Sequence, residues 1–312
     1  MKQLLEFWNR WMNENGQQEG FDPRLNGMVD VFRSLEQFNE HMRVNEQMLT
    51  HRWLTEQRLP DLVRRPGRLF GWNELIEGPT EFEFHVNDDG TPASLREGLV
   101  CSHTRLPSRI RAGLEMLMAL SQGREGNAVY LTEQATPAFG WLKSRFPNAR
   151  GSEFFEAESR ARLEQAMSHH GLADVPLEFQ DITRLDFPDA GLDAVLSFDV
   201  LEHVPDYHAA LAELARVLRR DGHLILTAPF LNDRQDTLVR ATIDDDGNIV
   251  HHLEPEYHGD PLRPDGVLAF QTFGWDLLDA VRQAGYRDAV WALSWDFSRG
   301  LIGGLWTLLA RR

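Results

Sequence analysis

Residues 185–230 read LDFPDAGLDAVLSFDVLEHVPDYHAALAELARVLRRDGHLILTAPF. The apolar run from Leu192 to Phe198 predicts a buried strand. It runs into an acidic, histidine-bearing turn that holds Asp199, Glu202 and His203. A helix follows with Leu211, Leu214 and Leu218 on one face, and Gly222 is expected to stop it. A second apolar strand, His223 to Ala228, ends at Pro229. The stretch is one strand–helix–strand unit with polar groups at the carboxyl ends of both strands. Open parallel α/β sheets bind ligands at those ends.

The 312 residues suit one large domain or two ordinary ones. A net charge of −16 argues against a nucleic-acid backbone as main partner, because such binding depends on basic patches. Arg105, Arg109 and Arg111 form a local basic trio, and a solvated helix face is the plainer reading of it. The single cysteine, Cys101, excludes an internal disulfide framework and a multi-thiolate zinc site. No apolar run reaches the ~20 residues that span a bilayer, and the start, MKQLLEFWNRWMNENG, is not of signal-peptide type. These features predict a cytoplasmic protein. Leu4, Leu5, Phe7, Trp8, Trp11 and Met12 form a short amphipathic pattern, expected to pack on the body of the protein.

Three segments are expected: residues 1–68, helical; 69–122, a small β-plus-helix module; and 123–312, an α/β domain with an insertion at about 231–271. Within the first, Pro23 opens a predicted helix over 23–59. Met28, Val31, Leu35, Phe38, Met42, Asn45 and Leu49 recur at steps of three and four, a heptad seam with one polar position. Its two readings are a dimerising coiled coil and an amphipathic helix lying on its own domain. Residues 69–104 read as short strands, with Asn87-Asp88-Asp89-Gly90 as a hairpin turn, and a helix follows from Leu106 to Leu120. Beyond Ala128, strand and helix alternate, which predicts a parallel sheet with right-handed crossovers. Its strands are expected at Val129–Leu131, Arg150–Glu153, Leu177–Asp181, Leu192–Phe198 and Leu224–Ala228. Residues 237–252 read as an inserted hairpin, Asp276–Ala284 as a helix, and Val290–Trp295 with Leu305–Ala310 as closing strands.

FPDAGLDAVLSFDVLEHV and ALAELARVLRRDGHLILTAPF resemble the fourth- and fifth-strand motifs of class I S-adenosylmethionine-dependent methyltransferases. The resemblance extends over about 128–312. It implies a Rossmann-like seven-stranded sheet with an antiparallel last strand, and S-adenosylmethionine as cofactor. Position by position, it implies that Glu153 in RGSEFF accepts from the ribose hydroxyls and that Asp181 in LEFQDIT meets the adenine amino group, with Ile182 beside the base. Phe198 and Asp199 would lie near the methionine end. The family's glycine-rich turn after the first strand is replaced here by Thr132, Glu133, Gln134, Ala135, Thr136 and Pro137. Glu133 is then a candidate acceptor for the cofactor's ammonium, and Thr132 or Thr136 a helix cap. Two readings stay open: a variant cofactor site, or a site that has lost the cofactor. Upstream, GWNELIEGP and REGLVCSHTRLPSR are similar to a zinc-ribbon module whose ligands would fall at Asn73, Ile76, Cys101 and Thr104. Three of four ligands are absent, so no zinc is expected there.

The resemblance implies methyl transfer to an oxygen, less readily a nitrogen, of a small molecule or glycan. A positioned base can take the acceptor's proton, and His203 and His258 are the candidates. Tyr257, His258 and Asp260 in EPEYHGDP would cluster over the acceptor. A sulfonium is already an activated donor, so no metal is expected. Asp199, Glu202 and His203 do match the spacing at which some quinone-pathway O-methyltransferases hold a divalent cation, but Glu202-His203 reads more plainly as a structural pair. Trp275, Trp291 and Trp295 read as core or pocket wall, an exposed one being a candidate for stacking on a sugar. The competing class is a non-catalytic methyltransferase-like scaffold that forms a homodimer through residues 23–59. A nicotinamide dehydrogenase would share the ribose acid, but the glycine fingerprint it needs is missing.

Overall fold

The computed structural model describes residues 21–312 apart from 26–27, 64–66, 88, 123 and 261–262. The amphipathic pattern in the first twelve residues lies outside them. The elements are β1 (Val29–Phe32), α1 (Leu35–Val44), α2 (Glu46–Val63), β2 (Arg68–Asn73), β3 (Gly78–Phe84), α3 (Leu95–Gly98), β4 (Leu99–Cys101) and α4 (Ser108–Ser121). The α/β part continues with β5 (Val129–Leu131), α5 (Pro137–Arg145), β6 (Arg150–Gly151), α6 (Arg160–His169), β7 (Leu192–Phe198), α7 (Tyr207–Val217) and β8 (Leu218–Thr227). The inserted strands are β9 (Leu238–Val239), β10 (Ala241–Ile243), β11 (Ile249–His251), β12 (Tyr257–Asp260), β13 (Arg263–Leu268) and β14 (Gln271–Thr272). The chain closes with α8 (Leu277–Gln283), β15 (Asp288–Asp296) and β16 (Leu301–Arg311).

One sheet of seven strands runs in the order β1-β15-β16-β8-β7-β5-β6. Strands β6, β5, β7 and β8 are parallel, and β16 is antiparallel between β8 and β15. This is the Rossmann-like seven-stranded sheet with an antiparallel closing strand that the sequence leads one to expect, with one strand exchanged. Residues 177–181 form no strand and meet the sheet only by a bridge from Phe179 to Glu153. The seventh strand is β1, paired antiparallel to β15 at the opposite edge. Both faces are covered, so the central strands are mostly apolar where they pair, as in Ala194–Leu196 and Leu224–Leu226. Val195, Leu224 and Leu226 pack toward α7 and α8, while Ala194, Leu196, Phe198 and Ile225 pack toward α4 and α5.

The long helix expected over 23–59 is interrupted. Val31 lies in β1, and the chain turns at Ser34 and again at Asn45. Ser34 caps α1 by accepting from the Gln37 N–H, and Gln37 Oε1 accepts from the Arg33 N–H at 2.6 Å. Asn45 is no core position: its side chain donates to the His41 carbonyl at the end of α1. Phe38 is buried against Phe32, Trp306 and Trp275, with ring centroids 5.3–5.8 Å apart. Phe38 thus packs on its own domain while Met42 is exposed, and the one continuous helix that the coiled-coil reading needs is replaced by a strand and two helices. Ser34→Ala is expected to cost about 1 kcal/mol of stability, read as a lower urea midpoint at unchanged slope.

Two further corrections are local. Leu218 opens β8 rather than closing the helix, which stops at Val217. Arg111 is fully buried and donates to the Arg299 and Gly300 carbonyls, 2.7 Å each, so the basic trio is no solvated face. Gly300 has φ +59°, and a β-carbon there would lie 2.7 Å from the Phe82 ring, so only glycine serves this turn. Phe82, Leu99 and Cys101 share a core cluster with Ile302, which ties the three-stranded sheet β2-β3-β4 to the closing hairpin.

Candidate functional site

In the parallel part of the sheet, β6 lies on one side of β5 and β7 on the other, so the order reverses between β5 and β7. Ligands of such sheets bind at that reversal. Thr132-Glu133 and Phe198-Asp199 end these two strands. They are joined directly: Glu133 Oε1 accepts from the Phe198 N–H at 3.0 Å, and Thr132 Oγ1 donates to Glu133 and contacts Ser197. Burial above all, with the charge of Glu153, pushes the Glu133 carboxyl up to about 8, against the hydrogen bonds from Thr132 and Phe198 and the charge of Arg109. Thr136 caps α5, its hydroxyl accepting from the Phe139 N–H.

The raised Glu133 fixes a sign. The folded protein keeps a proton there between pH 4.5 and 8 that the unfolded chain has released. This contribution to stability is whole below pH 4.5 and is lost as pH rises toward 8. Glu133→Gln should thus flatten the decline between pH 5 and 8, measured by urea unfolding. An unchanged decline would refute the assignment.

Asp199 stands at φ +55°, a left-handed position that aspartate tolerates better than most residues. Its carboxylate accepts from Arg96 Nη2 at 2.8 and 3.0 Å and from the Thr227 hydroxyl at 2.7 Å, and Arg109 Nε lies 3.3 Å away. Burial opposes its charge, but Arg109 and Arg96 hold it below the usual carboxylate range. Both arginines also pair with Glu97. Arg109 Nη1 is buried with no hydrogen-bond partner among the described residues. These two arginines are the site residues that sequence reasoning missed; the need of a strand-end aspartate for a cation was the available signal.

Glu153 Oε1 accepts from the Ala135 N–H at 2.6 Å, which ties the rewritten first-strand loop to the end of β6. Asp181 Oδ1 accepts from the Thr183 N–H and hydroxyl, at 2.8 and 2.7 Å. Ile182 and the Phe198 ring do not line the rim. Ile182 is in the core, and Phe198 packs under α4, where a β-carbon on Gly113 would lie 2.6 Å from its ring.

A second group lies beyond β7. Glu202 and His203 are in a short turn (Leu201–His203), and His258 on β12 faces them, its ring 5.0 Å from that of His203. His203 and His258 are thus brought together. The Glu202 carboxylate first, and that of Glu256 with it, hold the His258 imidazole above its ordinary value against the effect of burial. Tyr257 is exposed, and the Asp260 side chain lies outside the described residues. Asp199 does not join Glu202 and His203, because its oxygens face the arginines. His252 ends the β10-β11 hairpin beside the Thr242 hydroxyl, 2.9 Å away, as a structural histidine.

At the zinc-ribbon-like positions, Asn73 Nδ2 donates to Cys101 Sγ at 3.1 Å, and Thr80 Oγ1 lies 3.4 Å from that sulfur. Burial pushes the thiol up, but contacts with Thr104, Thr80 and His103 outweigh it and leave it below its ordinary value. Ile76 is exposed. Hydrogen bonds hold this corner, and the zinc-ribbon likeness rests on spacing alone. Two surface clefts, of about 670 and 360 Å³, lie elsewhere, beside Leu35 and Asn39 and beside Phe70 and Thr80. Neither gathers charged groups from neighbouring strand ends, so the rim between β5 and β7 is the stronger candidate.

Residues 141–226 match the methyltransferase-domain family model. The match begins within α5, so the rewritten loop at 132–137 precedes it. A phosphatidylethanolamine N-methyltransferase of Cereibacter sphaeroides is 32% identical over 81 residues, 26% of this chain and 40% of that protein. The chain thus spans about two fifths of that relative's length. Among solved structures, a 1,6-didemethyltoxoflavin-N1-methyltransferase from Burkholderia thailandensis, bound to 1,6-didemethyltoxoflavin and S-adenosylhomocysteine, is 18% identical. It is matched over 65% of this chain and 78% of its own, with a TM-score of 0.38. An O-methyltransferase family protein from the same organism is 14% identical over 65% of this chain and 57% of its own, with a TM-score of 0.38. Among the described residues no helix is long and apolar enough to cross a membrane.

Proposed function

We propose that the chain transfers a methyl group from S-adenosylmethionine to an oxygen of a small-molecule acceptor. The observation that carries this is the junction at the sheet reversal, where Glu133 spans from the end of β5 to the Phe198 N–H at the end of β7. The residues fit the cofactor's parts. Glu153, at the end of β6, accepts from ribose hydroxyls as an ionised carboxylate. Asp181 follows on the neighbouring segment and faces the base. Arg109 Nη1, an orphaned buried donor, suits a carboxylate such as that of the methionine end. Asp199 keeps Arg109 and Arg96 in place and partly neutralised. The cofactor, when bound, supplies a methyl group already activated on a sulfonium. The protein then has to align the acceptor and remove its proton, and His203 or His258 serves as base. Trp275 and Trp291 are buried in the core, and the half-buried Trp295 is stacked by Arg52, 4.8 Å from its ring centroid, so a small molecule is preferred to a glycan. A nitrogen acceptor is the second reading, favoured by the name of the Cereibacter relative.

Calorimetry with S-adenosylhomocysteine tests this. Saturable binding is expected at or below about 1 mM, the upper end of common substrate constants. Absence of heat at millimolar ligand would overturn the proposal and leave the non-catalytic scaffold.

A further inference from the structure

We infer that Glu202, His203 and His258 form a divalent-cation site. One ligand atom from each lies within 4.8 Å of the others. Glu202 is completely buried, and neither of its carboxylate oxygens receives a hydrogen bond among the described residues. A buried carboxylate is costly, so native structures pair such groups with a cationic side chain or bind them to metals. The nearest nitrogens to Glu202 Oε1 are His258 Nδ1 at 3.4 Å and His203 Nε2 at 3.8 Å.

The outer nitrogens of both rings decide what those inner nitrogens carry. His203 Nδ1 lies 2.9 Å from the Leu268 carbonyl, and His258 Nε2 lies 3.2 Å from Glu256 Oε1. A carbonyl and a carboxylate accept only, so in the neutral form of either ring the proton sits on the outer nitrogen. In that form both inner nitrogens turn lone pairs toward Glu202, with the three ligand atoms within 4.8 Å of one another. A cation among them resolves all three at once. Backbone carbonyls and carboxylates orient metal-bound imidazoles in the same way. Glu256 is itself held by Arg240 at 2.5 Å, which fixes the outer contact. Two imidazoles and one carboxylate suit a first-row divalent ion such as zinc. Three protein ligands leave a coordination position open.

The role of the ion rests on the proposed methyl transfer. With both imidazoles ligated to the ion neither is free to act as the base, and an acceptor hydroxyl in the open position would instead lose its proton to solvent more readily, as metal-bound water does. The binding of the ion does not depend on that reading, and the test separates the two. Chelator-stripped full-length protein is titrated with zinc chloride by calorimetry, and with cobalt(II) by visible absorption, without cofactor. One ion per chain is expected, with cobalt bands of a low-coordinate nitrogen–oxygen site. His258→Ala is expected to weaken zinc binding by at least about a hundredfold, the upper end of the loss from removing an outer-shell partner. His252→Ala, on the neighbouring hairpin, should leave it unchanged. Glu202→Gln should act like His258→Ala, and if that buried variant does not fold, His258→Ala still decides. No zinc binding, or binding that His258→Ala leaves intact, overturns the site and assigns the charge on Glu202 to a protonated histidine. Zinc binding without methyl transfer would sustain the site and sink the proposed activity.

Discussion

Glu153→Ala is expected to weaken S-adenosylhomocysteine binding by about ten- to a hundredfold in calorimetry. Hydrogen bonds to a charged group are each worth about 1.5–3 kcal/mol, and ~1.4 kcal/mol is a factor of ten in affinity. The variant loses twice, since Glu153 also holds the Ala135 N–H at 2.6 Å and so shapes the first-strand loop. Glu153→Gln separates these losses. Its amide oxygen still accepts from Ala135 but brings no charge to the ribose, so an intermediate affinity is expected. Unchanged affinity in Glu153→Ala would show that the ribose is held elsewhere.

The second large effect is on stability. Asp199→Ala is expected to cost about 3 kcal/mol, the lower end for breaking a buried ion pair. Arg96 and Arg109 would face each other across the lost carboxylate, and the Thr227 hydroxyl would lose its acceptor. Glu97 remains paired to both arginines and limits the damage. Alanine also fits φ +55° less well than aspartate. Asp199→Asn keeps the backbone preference and one acceptor oxygen, so it should cost less. Urea unfolding of the three proteins measures the order, and equal midpoints would discard the buried-pair account.

What the sequence made legible was what local pattern controls. Strands β5 and β7 begin and end where their apolar runs do, because both faces are covered and only Asp193 and Ser197 interrupt the run in β7. The helix at 23–59 misled because Met28, Val31, Leu35 and Phe38 keep a helical spacing while the chain folds as strand, turn and helix. Ser34 with Gln37 three residues on was a readable capping signal. Residues 177–181 look like a strand, yet that side of β6 is met by a single bridge, and β1 supplies the seventh strand from far away in sequence. The site divided in the same way. Glu133, Glu153 and Asp199 follow strand ends and could be named from the sequence. Arg96, Arg109 and the pairing of His258 with Glu202 depend on contacts between distant segments, which no local spacing records.

The edge strand β1 also sets an order of events in synthesis. Residues 29–32 leave the ribosome about 260 residues ahead of their partners at 291–294. Phe38 waits as long for Trp275 and Trp306. Contacts of such sequence separation form late and slowly, and apolar segments left uncovered in the meantime invite association with other chains. A nascent chain with residues 21–44 emerged therefore carries apolar side chains that stay uncovered until residues 275–306 have been made.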